Sequence, residues 1–268
     1  MSLTRYTLDG APVTSVPPEL ALYPYGVFTT FVAVGGGVLA WGRHEDRLAQ
    51  GVAELWGHEL DRAQLRATLR RHLDGDSSGA TSVRVTVYPA ELDLAAPAAA
   101  YGCSVLVSSK DGAWPIPAVA DFRVRTTPHR RELPELKSTS LLMQIRLRRE
   151  SQLAGYDDAL FVDGDRVLEG ATWSVMLWKD GVVVVPDADV LPSITTDVLV
   201  QVAAQLGWMS EHRELTVADL AGADLVLAVN ANNPARAISK VDERPVRVDA
   251  RVLDAVASGY RDQAREAI

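Results

Sequence analysis

Residues 133–143 read LPELKSTSLLM, and one lysine, Lys137, stands there just before an apolar run. Lysine is rare in this chain, because only four of the 27 basic residues are lysines and the others are arginines. Lys110 and Lys179 precede Asp-Gly pairs, which favour turns, and Lys240 lies in an alternating segment typical of a strand. Lys137 has no such simple explanation, and its neighbours must supply one.

Those neighbours predict a junction between a strand and a helix. Ser-Thr-Ser at 138–140 is typical of a helix-capping cluster. Residues 141–156 then follow a helical period as far as a glycine stop. An amine at position 137 would point away from this junction.

The composition indicates a globular chain with a full core and an acidic surface. Hydrophobic residues make up 47% of the 268 positions, which is enough for one large domain or two modest ones. The net charge of −8 and the sequence pI near 5.2 lack the basic footprint of a nucleic-acid-binding protein. We therefore expect no nucleic-acid partner.

The single cysteine and the hydropathy pattern indicate a cellular location. Cys103 alone excludes an intramolecular disulfide and a cysteine-based zinc site, and it favours a reducing compartment. No apolar run approaches the ~18 residues of a membrane-spanning helix, and the polar start MSLTRYTLDG lacks the apolar region of a signal peptide. We expect a cytoplasmic protein with no membrane partner and no metal site.

Strand and helix signals alternate along the chain, which predicts a mixed α/β (α+β) fold in two domains. Residues 1–112 form a first domain of β-rich runs and two helical segments, and residues 121–268 form a second. The stretch KDGAWPIPAVADF carries two prolines and a glycine, so we predict a linker at 113–120. A cleft between two such domains is a common place for a ligand.

Several segments, in their order along the chain, resemble the class IV aminotransferase family. This family includes branched-chain and D-amino-acid aminotransferases and aminodeoxychorismate lyase. The matching segments lie within residues 25–242 and are YGVFTT, HEDRL, LPELKSTS, DDALFVD, VLEGATWSVM, LPSITT and VNANNP. The resemblance implies a smaller N-terminal α/β domain, a larger C-terminal domain with a barrel-like β core, pyridoxal 5'-phosphate between the domains, and a homodimer.

Two residues match the family's central chemical groups. Lys137 matches the lysine that forms a Schiff base with the cofactor, a role that needs an amine as covalent anchor and general base. Glu169 matches the glutamate beside the pyridine nitrogen, where a carboxylate keeps that nitrogen protonated so that the ring can withdraw electrons. The resemblance therefore makes Lys137 catalytic and Glu169 cofactor-binding.

The resemblance also implies a phosphate-binding set: Arg47, Ile194, Thr195, Asn230 and Asn232. A guanidinium matches phosphate oxygens bidentately, the start of a helix offers free backbone N–H groups, and an asparagine amide can donate as well. His44, beside the arginine, is expected to be structural. Ser193 stands where the family usually has glycine.

The resemblance leaves the reaction open. GVFTT and NANNP are similar to aminodeoxychorismate lyase, which eliminates pyruvate to give 4-aminobenzoate, but VRVTVYPAELDLAAPAA lacks the arginine- and glycine-rich loop of that enzyme. Phe28 replaces the tyrosine of D-amino-acid aminotransferases. We expect an aminotransferase acting between an amino acid or amine and a 2-oxo acid. The lyase is the alternative, and a catalytically silent cofactor-binding protein is the third interpretation.

The small-molecule substrate of any of these reactions carries a carboxylate that needs a donor. The candidates are Thr30, Arg84, Arg130, Arg131 and Arg236. Residues near 23–31 and 84–100 are where the resemblance implies contributions to a neighbouring subunit. No tyrosine in the sequence is a convincing partner for the cofactor's 3-hydroxyl.

Overall fold

The computed structural model describes residues 4–15, 17–74 and 79–268. The chain divides into two compact units, and neither is one continuous stretch. The first unit holds the described residues up to Trp114 together with Leu136–Ser140 and Ala264–Ile268, and the second holds Pro115–Glu135 and Leu141–Gln263. The predicted boundaries, with a linker at 113–120, stay a prediction about separate domains.

The described residues form sixteen strands, seven α-helices and a short 3-10 helix at Pro97–Ala99. The strands are β1 Arg5–Leu8, β2 Ala11–Val13, β3 Val27–Val34, β4 Gly37–Val38, β5 Ala80–Tyr88, β6 Ser104–Asp111, β7 Val119–Pro128, β8 Asp158–Asp163, β9 Arg166–Gly170, β10 Ser174–Lys179, β11 Val182–Pro186, β12 Met209–Arg213, β13 Leu225–Asn230, β14 Asn233–Val241, β15 Arg244–Pro245 and β16 Glu266–Ala267. The helices are α1 Pro18–Leu22, α2 Trp41–Trp56, α3 Arg62–Leu73, α4 Leu142–Leu153, α5 Ile194–Gln205, α6 Val217–Ala221 and α7 Ala250–Arg261.

The first unit is built on an antiparallel sheet with the strand order β16-β4-β3-β5-β6-β1-β2. Side chains alternate along each strand, so Phe31, Val83 and Val85 share a buried face and pack with residues of α2 and α3. Thr30 and Arg84 have the opposite parity and lie on the other face. The sheet therefore separates an apolar core from a face that carries two candidate substrate residues.

The hairpin that follows β3 is short. The chain turns at Gly35 and Gly36, both at positive φ, and the second strand of the hairpin has only two residues. Ala40 adopts a left-handed conformation with φ of 52°, and α2 begins at Trp41. The predicted turn at Lys110 is wrong. Lys110 lies within β6, paired with β5, because β5 extends far enough to continue the ladder past the predicted turn.

The second unit is built on a nine-stranded mixed sheet that curls into a half-barrel. Its main path runs β12-β11-β10-β13-β14-β7-β8-β9, and β15 pairs with β14. An apolar cluster fills the concave side, and its members include Val124, Leu160, Val175, Leu177 and Val226. The prediction of a mixed fold with a barrel-like core in its C-terminal part is confirmed.

Hydrogen bonds join the segment around Lys137 to the edge of the first unit's sheet. The Phe28 N–H donates to the Lys137 carbonyl at 2.9 Å, and the Thr139 N–H donates to the Gly26 carbonyl at 2.8 Å. Because two backbone bonds hold the chain on both sides of Ser138, the position of the lysine is set by strand pairing. The lysine stands in an extended segment.

The predicted helix-capping role of Ser-Thr-Ser is wrong. The helix α4 begins only at Leu142, and its N-cap residue Leu141 makes no side-chain capping hydrogen bond. Ser138 forms an isolated bridge with Val27, so the cluster continues an extended segment. The predicted end of this helix is close to the observed one, since α4 ends at Leu153 and Gly155 follows at positive φ.

The helices of the described residues are short. The longest of them, α2, has 16 residues, whereas a membrane-spanning helix needs about 20 apolar ones. No helix in the described ranges is both long and apolar enough to cross a membrane.

Candidate active site

Lys137 stands beside an aromatic ring that it shares with an arginine. Its Nζ atom lies 5.0 Å from the centroid of the Phe28 ring, and Cζ of Arg84 lies 3.7 Å from the same centroid. Phe28 is 6% exposed, and Leu136, next to the lysine, is 2% exposed. The amine is therefore held against an apolar surface and near a second cation, in contrast to a lysine in a solvated turn.

Arg84 and Thr30 are direct neighbours across the sheet, because the register pairs them between β5 and β3. Arg84 Nε donates to Thr86 Oγ1 at 3.3 Å. Burial lowers the pKa of the Arg84 guanidinium, which nevertheless remains charged at neutral pH. No ion pair joins it to a carboxylate among the described residues. A partly buried guanidinium in this state suits the carboxylate of a ligand.

His44 links the first turn of α2 to β3. Its Nδ1 atom and Thr29 Oγ1 share a hydrogen bond of 2.6 Å, and its ring meets the edge of Phe31. Burial and, after it, the positive charges of Arg47 and Lys137 together lower the pKa of His44 to about 3. The imidazole therefore stays neutral, and the arginine predicted for phosphate lies near the predicted catalytic lysine.

Glu169 is paired with Arg131 in the second unit. Arg131 Nε lies 2.6 Å from Glu169 Oε1, and the side chains are 8% and 5% exposed. A buried carboxylate needs such a cation, because an uncompensated charge in the interior is costly. The sequence analysis named Arg131 as a possible partner of the substrate carboxylate and did not foresee its pairing with Glu169.

Arg130, the adjacent residue, has a different environment. Its side chain is 58% exposed and forms ion pairs with Asp163 at 3.2 Å and Asp189 at 3.3 Å. Its charge is therefore met at the surface of the second unit. The predicted contact between Arg130 and a substrate carboxylate stays a prediction with no support from these contacts.

The start of α5 presents the features of an anion-binding helix end. Ser193 is the N-cap, and its Oγ atom accepts from the Thr196 N–H at 3.2 Å. Ile194 and Thr195 follow in the first turn, where backbone N–H groups have no partner within the helix. The Thr196 hydroxyl is buried and has no hydrogen-bond partner, and the sequence interpretation did not assign it a role.

The side chain of Asn230 forms hydrogen bonds within a turn. Its Nδ2 group donates to the Thr172 carbonyl at 3.2 Å, and its Oδ1 atom accepts from the N–H groups of Asn232 and Asn233. Asn232 is exposed in the same turn. The Asn230 amide has a second N–H group that these bonds do not use, so the predicted phosphate contact stays a prediction.

Arg236 lines a polar cavity of the second unit. Its Cζ atom is 3.9 Å from the centroid of the Phe122 ring. The predicted contact of Arg236 with a substrate carboxylate stays a prediction. Among the described residues, no group of three or more His, Cys, Asp or Glu side chains could hold a metal ion.

Replacement of His44 by glutamine should flatten the acid side of the stability curve. In the folded protein His44 takes up a proton only near pH 3, whereas in the unfolded chain it does so near 6.5. Its stabilising contribution is therefore complete above pH 6.5 and is lost as the pH falls from 6.5 towards 3. Between pH 8 and pH 5 the wild type should lose about 2 kcal/mol more unfolding free energy than His44→Gln.

Urea unfolding at the two pH values measures this difference. His212→Gln, which changes an exposed histidine of β12, is the control and should follow the wild type. Parallel losses in the wild type and His44→Gln would show that His44 is not buried in its neutral form.

Replacement of Arg131 and of Arg130 should have very different costs. Arg131→Gln removes the cation beside a buried carboxylate, and we expect a loss of about 3–5 kcal/mol in unfolding free energy at pH 7. Arg130→Gln removes only exposed ion pairs and should cost less than about 1 kcal/mol. The double variant Arg131→Gln with Glu169→Gln should recover part of the loss in urea unfolding, whereas additive costs would exclude a direct pair.

Comparison with known proteins supports one family. The chain matches the family model described as amino-transferase class IV over residues 26–241. No match is found among the curated proteins. Members of this family use pyridoxal 5'-phosphate, and the predicted cofactor is confirmed at that level.

Solved structures share the fold of the chain. The fold IV-transaminase CpuTA1 from Curtobacterium pusillum is 22% identical, with a TM-score of 0.80 over 96% of this chain and 97% of that one. The branched-chain aminotransferase from Thermoproteus uzoniensis with norvaline is 20% identical, with a TM-score of 0.84 over 97% and 94%. A hypothetical aminotransferase from Mycobacterium tuberculosis in its PLP-bound form is 19% identical, with a TM-score of 0.79 over 96% and 99%. Since the family model spans most of the chain and the fold agrees, the chain belongs to the class IV aminotransferase family.

Proposed function

We propose that the protein is a pyridoxal-phosphate-dependent aminotransferase that moves an amino group between an amino acid or amine and a 2-oxo acid. The observation that carries this proposal is the arrangement of Lys137 and Arg84 against one ring, that of Phe28. An amino acid presents an amine and a carboxylate a short distance apart. On the same ring lie a lysine and a guanidinium that has no carboxylate partner among the described residues, and they match these two groups.

The residues of the second unit fit the cofactor. The buried hydroxyl of Thr196 lacks a partner at the start of α5, and the first-turn N–H groups of Ile194 and Thr195 offer further donors, so a phosphate group suits this place. Glu169 supplies a buried carboxylate for the pyridine nitrogen. Arg47, a cation on α2, is the proposed side-chain partner of the phosphate.

When bound, pyridoxal phosphate withdraws electrons from the substrate's Cα atom. Lys137 Nζ would move the proton of the substrate's Cα atom, so one amine would act first as base and then as acid. The Phe28 ring keeps water from one side of that amine. His44, neutral and bonded to Thr29, neither adds charge nor competes for the proton.

Glu169 and Arg131 act as one unit in this proposal. The carboxylate would keep the cofactor's pyridine nitrogen protonated, and the guanidinium 2.6 Å away supplies the positive charge that a buried carboxylate needs. Arg131 touches Glu169 and no reacting atom, and it is therefore a positioning residue.

Purified protein with pyridoxal phosphate should convert amino donors and pyruvate or 2-oxoglutarate into the corresponding keto acid and amino acid. Chromatography of both products over a panel of L- and D-amino acids and simple amines measures the reaction and its specificity. Lys137→Ala should abolish turnover and remove the visible absorption band of the protein-bound cofactor. Lys179→Ala, which changes an exposed turn lysine, is the matched control and should retain both.

Formation of 4-aminobenzoate from aminodeoxychorismate, with no amino transfer, would replace the proposal by the lyase. The segment 89–103 between β5 and β6 contains no arginine, which disfavours the substrate loop of that enzyme. Bound cofactor with no turnover of any donor would replace it by a silent binding protein. Amino transfer, formation of 4-aminobenzoate and cofactor binding without turnover are thus three distinct outcomes, and each excludes the other two functions.

Arg84→Gln should weaken recognition of substrates that carry a carboxylate. Loss of a charge-assisted hydrogen bond pair reduces kcat/KM for amino acids by about 10–100-fold. Donors without a carboxylate, such as a simple aliphatic amine, should be affected little, because they do not use the guanidinium. Arg5→Gln, which changes an exposed arginine of β1 in the same sheet, is the control, and equal losses for both kinds of donor would exclude the proposed contact.

We also propose a homodimer in the cytoplasm. The exposed apolar side chains at the start of α4, Leu142 at 77% and Ile145 at 62%, support contact with a second copy. Light scattering at micromolar concentration distinguishes the dimer from a monomer.

A further inference from the structure

A polar cavity of about 280 Å³ lies in the second unit. Its lining includes Phe122, Arg148, Asp158, Thr172, Asn233 and Arg236. Of the residues predicted for the cofactor, Asn230 also lines it, and one N–H of its amide is bonded to the Thr172 carbonyl. The other lining residues differ from the groups assigned above to the cofactor.

The guanidinium of Arg236 is the uncompensated group of this cavity. One of its faces stacks on the Phe122 ring at 3.9 Å. Its Nε atom is buried without a hydrogen-bond partner, and the guanidinium forms no hydrogen bond or ion pair with any residue that the structure describes. Burial lowers the pKa of this group, and the opposing effect of Asp158 acts from beyond ion-pair distance.

The carboxylates near Arg236 are already paired with other arginines. Asp158 Oδ2 accepts from Arg148 at 2.6 Å and from Trp173 Nε1 at 2.8 Å. Asp157 accepts from the backbone and the side chain of Arg123. Each of these two carboxylates thus has its own arginine, and Arg236 is left without a direct carboxylate partner among the described residues.

Neutral donors adjoin this charge. The Thr172 hydroxyl accepts from Arg148 at 2.6 Å, so its own proton remains to be donated. The side-chain amide of Asn233 makes no hydrogen bond within the described residues. A guanidinium flanked by a hydroxyl and an amide is a donor set for an oxygen anion.

We propose that this cavity is a binding site for a small oxyanion, a carboxylate or a phosphate, held bidentately by Arg236. One negative charge neutralises the guanidinium, and the stacking on Phe122 leaves the edge of the fork free for two parallel hydrogen bonds. The volume admits a small organic acid or inorganic phosphate together with water. This site does not depend on the aminotransferase reaction.

Binding should be visible as stabilisation of the whole protein. Thermal unfolding is measured in buffer of constant ionic strength with increasing inorganic phosphate, and separately with acetate, for the protein saturated with pyridoxal phosphate. An anion that binds only the folded protein raises the midpoint saturably. We expect this rise in the wild type and in Arg146→Gln, an exposed arginine on the same helix as Arg148.

Two variants test the role of the fork. Arg236→Gln should weaken the apparent affinity by about 10–100-fold, because a charge-assisted contact is lost. Arg236→Lys keeps the charge without the planar fork, and its apparent affinity for the anion should lie between those of the wild type and Arg236→Gln. A rise of the midpoint that is the same in all variants would show that the anion binds elsewhere on the protein. No saturable rise in the wild type would show that the cavity holds no anion. Either result would overturn the proposal. A rise seen only before pyridoxal phosphate is added would assign the anion to the cofactor's phosphate site and overturn it equally.

Discussion

The hydrogen bonds between β3 and the segment Leu136–Ser140 are the constraint on which the lysine half of the candidate site depends. They hold the backbone of Lys137 beside Phe28, and the ring of that residue then receives the amine. The next residue along β3, Thr29, points to the opposite face and holds His44 of α2. Because side chains alternate along a strand, one strand positions both the lysine's surroundings and the helix that carries Arg47.

The second unit buries carboxylates, and each of them needs a compensating positive charge. Glu169 and Asp158 are nearly inaccessible, and each lies against an arginine, Arg131 and Arg148 respectively. The first unit uses the same arrangement, since Glu45 on α2 forms a bidentate pair with Arg66 on α3. A planar fork satisfies both oxygens of a carboxylate in one geometry, which a lysine cannot do.

The sequence predicted the family, the mixed fold and the barrel-like core. Ordered short motifs and strong strand periodicity can be recognised from the sequence alone, before any tertiary contact is known. It did not distinguish Arg130 from Arg131, since adjacent residues face different directions and only the fold decides which one is buried. It assigned Ser-Thr-Ser to a helix cap, whereas tertiary pairing with β3 keeps that segment extended. It also gave no role to Thr196, whose buried hydroxyl is apparent only when the start of α5 is packed.

The scarcity of lysine follows from the same physical argument. Arginine keeps its charge in every environment of this fold, so it suits buried carboxylates and bound anions, but for that reason it cannot act as a base. A lysine amine can lose its proton, and the lysine placed against Phe28 stands where proton transfer is proposed. Arg84 and Arg236 extend the pattern, because each stacks on a phenylalanine and neither pairs with a carboxylate among the described residues. Both side chains are partly buried, and they are the two places where we propose that anions from outside the chain bind.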